Sequence, residues 1–492
     1  MKLSTLIRSL KVKINKDIEI QHLTADSRTV TPSSLYVAVP GFVCDGHQYI
    51  NDVVKKGIKA VVVQKKQDIS PGIIQIIVPD TREALALLSC EFFGHPTKNL
   101  VLVGVTGTNG KTTSTYILES IFKEAGFNPG VIGTVNYRYG GKEIPAPNTT
   151  PESLDFQKML YDMKKEGVGH VVMEVSSHAL KLKRVDGSHF NVGLFTNLTQ
   201  DHLDFHKDFN DYFSSKKRLF LDLLKHSQKK MPTSIINIDD PYGVKLYEEL
   251  KKNKQVAQCF TTHSTGADIV VKSFEFNLEG LKAEIKVGEK IFSIRSQLLG
   301  EHNLSNIIGV IGVASALGIS QKIIEQGVWN LKRVPGRLER VDAGQPYLVL
   351  VDYAHTDDAL KNVGQALQKL KKNRIITVFG CGGDRDRKKR PLMAKAAENF
   401  SNQVIVTSDN PRTEEPQKII EEILGGFTQK NYSVEIDRKR AIQKAIALAK
   451  PKDIILIAGK GHEDYQILGK TKIHFDDREV AHEAICLQLK KS

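Results

Sequence analysis

The chain has 492 residues and carries 70 lysines and arginines against 56 aspartates and glutamates, a formal charge of +14. That length exceeds what one hydrophobic core serves, and domains of about 150 residues predict three of them. With 40% hydrophobic and 26% charged residues the composition is that of a soluble globular protein. No apolar run nears the ~20 residues a membrane-spanning helix needs. The opening Met1-Lys-Leu-Ser-Thr-Leu-Ile-Arg8 lacks a secretory apolar segment and cleavage site.

Five scattered cysteines, Cys44, Cys90, Cys259, Cys381 and Cys486, show no C-x-x-C spacing. This argues against a disulfide framework or a zinc site and predicts a reducing cytoplasm. The positive charge is spread over lysine-rich helix faces such as Lys164-Lys165 and residues 369–372. Without a basic tail or an aromatic-interleaved stripe, anionic small substrates or solubility explain it better than nucleic acid does.

Along the chain, residues 34–40 and 60–63 read as strands and 81–93 as a helix. His95-Pro-Thr-Lys98 is a linker, since proline ends the helix and a buried strand follows. Short apolar runs at 101–106, 170–174, 192–196 and 234–238 then alternate with helices, the pattern of a parallel sheet covered on both faces. Residues 268–298 change to period-two alternation and predict an antiparallel flap. A second boundary falls near Val334-Pro-Gly-Arg337. Four more strands follow at 347–351, 375–379, 403–407 and 453–457. The expectation is an α/β protein of three domains (1–97, 98–334 and 335–492), each a mainly parallel sheet flanked by helices. The central one is P-loop ATPase-like and the last Rossmann-like.

The chemistry begins at Val101-Leu-Val-Gly-Val-Thr-Gly-Thr-Asn-Gly-Lys-Thr-Thr113. A buried strand enters a glycine-rich loop, and Lys111-Thr112-Thr113 open a helix. Backbone N–H groups of such a loop turn inward, the helix N-terminus adds its positive end, and the lysine reaches phosphate oxygens. Thr112 offers a hydroxyl to Mg²⁺. The strict P-loop spacing asks for glycine at 105, where this chain has Val105. Two polar clusters follow at strand ends, where open α/β sheets bind ligands: Glu174-Val-Ser-Ser-His178 and Thr196-Asn-Leu-Thr-Gln-Asp-His-Leu-Asp204. A carboxylate and a histidine there complement Thr112 as Mg²⁺ ligands. Taken singly, Ser176, Ser177, Asp201 and Asp204 are also good helix N-caps.

These clusters, with Gly300-Glu-His-Asn-Leu-Ser-Asn306, Pro335-Gly-Arg337 and Asp352-Tyr-Ala-His355, make the chain resemble the Mur ligases, the ATP-dependent amino-acid ligases of peptidoglycan synthesis. The likeness runs nearly end to end. Asp26-Ser-Arg28, Asn148-Thr-Thr-Pro151, Gly380-Cys-Gly-Gly-Asp-Arg-Asp386, Asp409-Asn-Pro-Arg412 and Gly459-Lys-Gly-His-Glu463 narrow it to the branch acting on UDP-N-acetylmuramoyl-L-alanyl-D-glutamate. The resemblance implies that ATP phosphorylates the γ-carboxylate of the D-glutamyl substrate. An incoming amine then displaces phosphate through a tetrahedral intermediate, chemistry that depends chiefly on positioning and charge neutralisation.

It also implies residue roles. Gly107, Thr108, Asn109, Gly110, Lys111, Thr112 and Thr113 hold the triphosphate, while Asn303, Arg337 and Asp352 contact adenine, phosphate and ribose. Glu174, His202 and Thr112 bind Mg²⁺, together with a lysine carbamylated by CO₂. By its place in Tyr212-Phe-Ser-Ser-Lys216 that lysine is Lys216 and not Lys217; read without the family it is a solvated helix lysine. Lys111, Glu174, His202 and Lys216 form the implied catalytic set. Uridine falls to Ala25, Ser27, Phe42, Val43 and Cys44, and the muramoyl-dipeptide to Asn148, Thr149, Thr150, Ser176 and Arg184. Two departures stand out: Leu182, where some members carry a glutamine contact, and Asp357, where proline is usual and where the change should alter rigidity more than chemistry.

The resemblance assigns the added amino acid to Arg385, Asp409, Asn410, Pro411, Arg412, Gly459 and Glu463. Diaminopimelate differs from lysine by a second carboxylate, and a guanidinium fork grips a carboxylate with two parallel hydrogen bonds. Arg412 therefore predicts meso-diaminopimelate over L-lysine. The substrates expected are UDP-N-acetylmuramoyl-L-alanyl-D-glutamate, meso-diaminopimelate and ATP with Mg²⁺, used by a monomer without nucleic acid or membrane insertion. Competing readings are the L-lysine-adding version, a folylpolyglutamate synthetase-like ligase and a nucleic-acid-stimulated P-loop ATPase. Against the last, no run of four apolar residues ending in aspartate is seen near the loop.

Overall fold

The computed structural model describes residues 1–41, 44–199, 201 and 205–490. Among the described residues three large sheets, each mainly parallel and flanked by helices, carry the chain, with a fourth of two strands. In the first, strands His22–Thr24, Ser34–Val37, Ala60–Val63 and Ile74–Ile77 lie side by side in chain order, all parallel. The two middle strands are buried at every position, as an all-parallel sheet requires. The Ser34–Val37 strand stops short of the predicted residue 40, where Pro40 has no N–H to extend a ladder. Helix Thr81–Phe92 begins where the Asp80 carboxylate accepts from the Arg82 and Glu83 amides.

The central sheet has eleven strands. Its middle is parallel, and Val101–Thr106 lies between His170–Glu174 and Val192–Phe195. The chain builds first on one side of Val101–Thr106 and then on the other, so the glycine loop sits at a topological switch point, where such sheets take ligands. Ile269–Asn277, Gly280–Val287 and Lys290–Ser296 form the predicted antiparallel flap and close one edge. A short antiparallel pair, Asn136–Tyr139 and Lys142–Pro145, closes the other. One face packs helices Lys111–Glu124 and His302–Ala316 through Ile117, Ile121, Ile307 and Ile311. The opposite face packs Ser153–Lys165 and Phe209–Arg218 through Phe156, Leu160 and Tyr212.

The third sheet runs in the order Glu339–Val341, Leu348–Asp352, Ile454–Ala458, Ile375–Phe379, Gln403–Val406, Tyr432–Val434. Only the first pairing is antiparallel. The four predicted strands are its centre. The two edge strands and a separate hairpin, Tyr465–Leu468 with Thr471–His474, have three or four residues each, too few to reveal a period in the sequence. Insertion of Ile454–Ala458 between two earlier strands brings residues near 460 beside those near 410.

Candidate active site

The glycine loop is held by contacts that leave no room for side chains. Gly107 and Gly110 have φ of 150° and 86°. A Cβ on Gly107 would lie 1.9 Å from Thr196 Oγ1, and one on Gly110 would lie 2.2 Å from Asn306 Oδ1. Asn306 in turn donates to Asn303 Oδ1 at 3.0 Å, and Asn303 to the Leu299 carbonyl at 2.7 Å. The Asn109 amide donates to Asn197 Oδ1 at 2.8 Å, and Thr108 Oγ1 meets the Tyr212 hydroxyl at 3.0 Å. Thr113 is buried in the first turn of the helix. The Thr108 amide is likewise taken by the Asn197 carbonyl at 2.9 Å, so what the loop offers an anion is the positive end of the helix that opens at Lys111.

Lys111 bends over this cradle, its Nζ donating to the Gly107 carbonyl at 2.9 Å and the Thr108 carbonyl at 2.8 Å. Burial lowers its pKa, and the nearby Glu174 and Asp201 oppose that shift. Lys216 reaches the same Gly107 carbonyl at 2.7 Å and is 1% exposed. Burial, reinforced by the Lys111 charge, pushes its pKa well below the usual lysine value. A neutral amine is the form that reacts with CO₂, so this lysine fits carbamylation. Lys217 points elsewhere, to Glu249 at 2.7 Å. The reading of Lys216 as a solvated helix lysine is therefore overturned. Asp208 caps its helix by accepting from the Asp211 amide.

Glu174 closes the neighbouring strand, 1% exposed. Its Oε1 accepts from the Thr134 amide at 2.9 Å and its Oε2 from the Thr134 hydroxyl at 3.0 Å. The apolar run that ends in this carboxylate lies directly beside the loop strand; the run exists with glutamate in place of the aspartate sought in the sequence. His202, the remaining implied metal ligand, lies outside the described residues, as do Phe42 and Val43. Among the described residues no group of three or more His, Cys, Asp and Glu side chains forms a metal cluster. Of the implied ligands that are described, the Thr112 hydroxyl, the Glu174 carboxylate and a carbamylated Lys216 would each offer a hard oxygen donor of the kind Mg²⁺ takes.

The third domain meets the loop directly. Arg337 Nη2 donates to Thr112 Oγ1 at 3.2 Å, and Asn109 Nδ2 donates to Asp358 Oδ2 at 3.1 Å. Asp352 accepts from the Leu338 and Ala354 amides at 2.7 and 2.8 Å, and burial raises its pKa. Asp357 opens helix Asp357–Leu370, capped by Thr356. An acid in that first turn favours the helix dipole where the usual proline would only preset φ.

On the substrate side, the Thr150 hydroxyl donates to the Glu174 carbonyl at 2.8 Å and accepts from the Ser176 amide at 3.1 Å. Thr149 Oγ1 meets Thr134 Oγ1 at 3.0 Å, and Tyr137 donates to the Asn148 carbonyl. Arg184 donates to the Thr150 carbonyl at 3.0 Å and pairs with Glu152 at 2.5 Å. These residues converge behind Glu174. Ser176 is at the same time the N-cap of Ser177–Lys181, whose C-cap is Leu182. In the first domain Asp26 and Arg28 form a bidentate pair, and the Ser27 carbonyl accepts from Lys56. Ala25 is half-buried and Cys44 exposed.

The amino-acid residues meet around a cavity of about 520 Å³ that His178 and Asp201 line from the central domain, and Arg385, Asp409, Asn410, Arg412, Gly459 and Glu463 from the third. Arg385 is exposed at its rim, and Pro411 is buried behind it. Arg412 has φ 51°. Its amide donates to the Ile467 carbonyl at 3.1 Å and its carbonyl accepts from Gly469 at 2.8 Å, so the hairpin 465–474 pins a left-handed residue. Its Nη1 donates to the Gly383 carbonyl at 2.8 Å. Across the cavity Glu463 accepts from Asn410 Nδ2 at 2.8 Å and from Lys460 Nζ at 3.0 Å. Burial, then the nearby Asp409 charge, raises the Glu463 pKa, which Lys460 opposes. Gly459, φ 117°, leaves room for Asp409, whose Oδ2 would lie 2.7 Å from a Cβ there. A larger cleft, about 1190 Å³, shares Glu463 and Tyr465 with this cavity and runs to Thr134, the partner of Glu174.

Sequence reasoning passed over Lys460, Asn306 and Thr134. The first two stand inside motifs already noted, and their burial was the missing information. Nothing local marks Thr134.

The site is that of an acid–amine ligase built on a phosphate loop, and the comparisons agree with it. The chain matches the Mur ligase family catalytic domain over residues 19–93, the Mur ligase middle domain over 105–314 and the Mur ligase glutamate ligase domain over 336–461. It belongs to the Mur ligase family. Among its relatives, a protein of Geobacter metallireducens is 45% identical, with 94% of this chain and 93% of the relative covered. One of Clostridium tetani is 43% identical over 99% of each. Both are named UDP-N-acetylmuramoyl-L-alanyl-D-glutamate--2,6-diaminopimelate ligase. A solved structure of a protein of that name superimposes with a TM-score of 0.73 at 28% identity, covering 99% of this chain and all of that one.

Proposed function

We propose that the chain is an ATP-dependent ligase that joins meso-2,6-diaminopimelate to UDP-N-acetylmuramoyl-L-alanyl-D-glutamate in peptidoglycan synthesis. Residues 1–97 take the UDP-sugar, 98–334 the ATP and 335–492 the amino acid. The observation that carries this reading is Arg412, which lines one cavity together with Glu463 and Asp409. An amino acid with two amines and two carboxylates finds acids for the amine that does not react and the Arg412 and Arg385 guanidiniums for the carboxylate at that far end. L-lysine would leave its ammonium against Arg412, an unfavourable pairing.

The loop 107–113 and Lys111 bind the triphosphate, and Asn303, Arg337 and Asp352 hold the rest of the nucleotide. Thr112, Glu174, His202 and carbamylated Lys216 would hold Mg²⁺. ATP supplies the phosphoryl group that activates the D-glutamyl γ-carboxylate as an acyl phosphate, and Mg²⁺ offsets the charge on the phosphates. Thr134 fixes both oxygens of Glu174, which keeps that carboxylate aimed. Contacts from Arg337 and Asp358 tie the third domain to the loop, and Asn148 to Thr150 with Arg184 orient the dipeptide end. No described helix is long and apolar enough to cross a membrane; we place the enzyme in the cytoplasm, working as a monomer on small molecules.

The test is phosphate release by purified protein with ATP and UDP-N-acetylmuramoyl-L-alanyl-D-glutamate while the amino acid is varied. Diaminopimelate should drive turnover with kcat/KM far above that of L-lysine. Equal kcat/KM values would refute the specificity. Turnover with a folate substrate instead would point to the rival ligase.

A further inference from the structure

Behind Arg412 lies a second arginine that does not itself line the cavity. Arg390, in the first turn of helix Lys389–Phe400, is 0% exposed. A cation at the positive end of a helix, out of water, is costly unless paired. Here two carboxylates meet it. Its Nη1 donates to Glu414 at 3.0 Å and Glu422 at 2.8 Å, and its Nη2 donates to Glu414 at 2.8 Å and to the Gly382 carbonyl at 3.3 Å. Glu414 also accepts from the Asp384 amide at 2.6 Å, and Asp384, φ 54°, accepts from the Thr413 hydroxyl at 2.7 Å.

The same two segments carry Arg412. Gly383 donates to the Asn410 carbonyl at 2.9 Å and accepts from Arg412 Nη1. A Cβ on Gly383 would lie 1.9 Å from the Pro411 carbonyl, so the segments touch with no slack. One side of this contact faces the cavity and holds Arg412. The other is bolted by Arg390 and Glu414.

We infer that Arg390, through Glu414 and the Gly382 carbonyl, is a positioning residue that sets where the Arg412 guanidinium stands and so governs selection of the amino-acid substrate. The inference rests on the proposed diaminopimelate ligase reading. A fork is required because one planar group must reach two carboxylates and a carbonyl at once; a lysine ammonium has no such planar reach.

The test uses Arg390→Lys and Glu414→Gln, measuring KM for diaminopimelate, ATP and the UDP-dipeptide by phosphate release, each also in an Arg412→Ala background. Both variants should raise the KM for diaminopimelate about tenfold and narrow its preference over L-lysine, with the other two KM values within about twofold. In the Arg412→Ala background they should add nothing, since their effect passes through Arg412. Should Arg390→Lys fail to fold, Glu414→Gln, whose side chain is 22% exposed, carries the same test. Equal rises in all three KM values, or full additivity with Arg412→Ala, would overturn the inference. Absence of diaminopimelate-dependent turnover in the unmodified protein would instead remove the function on which it rests.

Discussion

Lys111 and Lys216 donate to one acceptor, the Gly107 carbonyl, at 2.9 and 2.7 Å. Two ammonium groups on a single buried carbonyl would repel each other, and burial with the Lys111 charge pushes the Lys216 pKa well below the usual lysine value. In the proposed function Lys111 would turn to phosphate and carbamylation would make Lys216 an anion, which relieves the crowding. The proposed function gives each a separate use, Lys111 for the nucleotide and Lys216 for modification.

Lys216→Ala should lower kcat at least about a hundredfold, the scale of losing an electrostatic contact at a reacting phosphate. Lys217→Ala removes only a partly exposed pair with Glu249 and should cost under about 1 kcal/mol of stability, with kcat intact. Phosphate-release assays on the two variants separate them, and carbon-13 NMR in labelled bicarbonate should show a carbamate signal that only Lys216→Ala abolishes. Full activity in Lys216→Ala would reject the assignment.

Gly110→Ala puts a methyl group 2.2 Å from Asn306 Oδ1 at a φ of 86°. Strain of about 1–3 kcal/mol is expected, and it falls on the loop proposed to bind phosphate. Melting temperature should drop by a few degrees, and the further stabilisation ATP gives the unmodified protein should vanish. A variant that ATP still stabilises to the same extent contradicts the loop's role.

Arg412→Ala should cost about 2–5 kcal/mol in kcat/KM for diaminopimelate, the range for truncating one member of a buried charge pair. The KM for ATP should change little, because the loop 107–113 is held by separate contacts. Isothermal titration with each ligand checks the split. Equal losses for both ligands would mean that Arg412 supports the fold and not recognition.

His462 packs beside Tyr353, ring centres 4.9 Å apart, and its Nδ1 is buried without a partner. Burial first, then the charges of Arg337, Arg478, His355 and Lys460, push its pKa down to about 3. The unfolded chain, with a histidine pKa near 6.5, binds the proton more readily, so stability falls as pH drops from about 6.5 towards 3. His462→Asn should flatten denaturant-unfolding stability over that window by a few kcal/mol at most. An unchanged pH slope would show that other groups govern acid unfolding.

The strands that can be read from sequence are those buried on both faces, such as Val101–Thr106, His170–Glu174 and Ile375–Phe379, because burial forces an unbroken apolar run. Short edge strands such as Glu339–Val341 and Tyr432–Val434 make few contacts, so their residues are little constrained. The glycine loop was legible for a related reason. Its function depends on local backbone shape, and only glycine reaches the φ that Gly110 adopts beside Asn306.

By itself, then, the sequence determined the phosphate loop, the polar clusters at strand ends and the order in which they come, because each is a property of a few consecutive residues. It could not separate Lys216 from Lys217 on chemistry alone; the turn of one helix does that, aiming the first at Gly107 and the second at Glu249. Nor does it reveal Thr134 under Glu174, Lys460 against Glu463, or Arg390 behind Arg412. Those partnerships join residues that strand order and loop packing bring together, and no local pattern encodes a distance across a sheet.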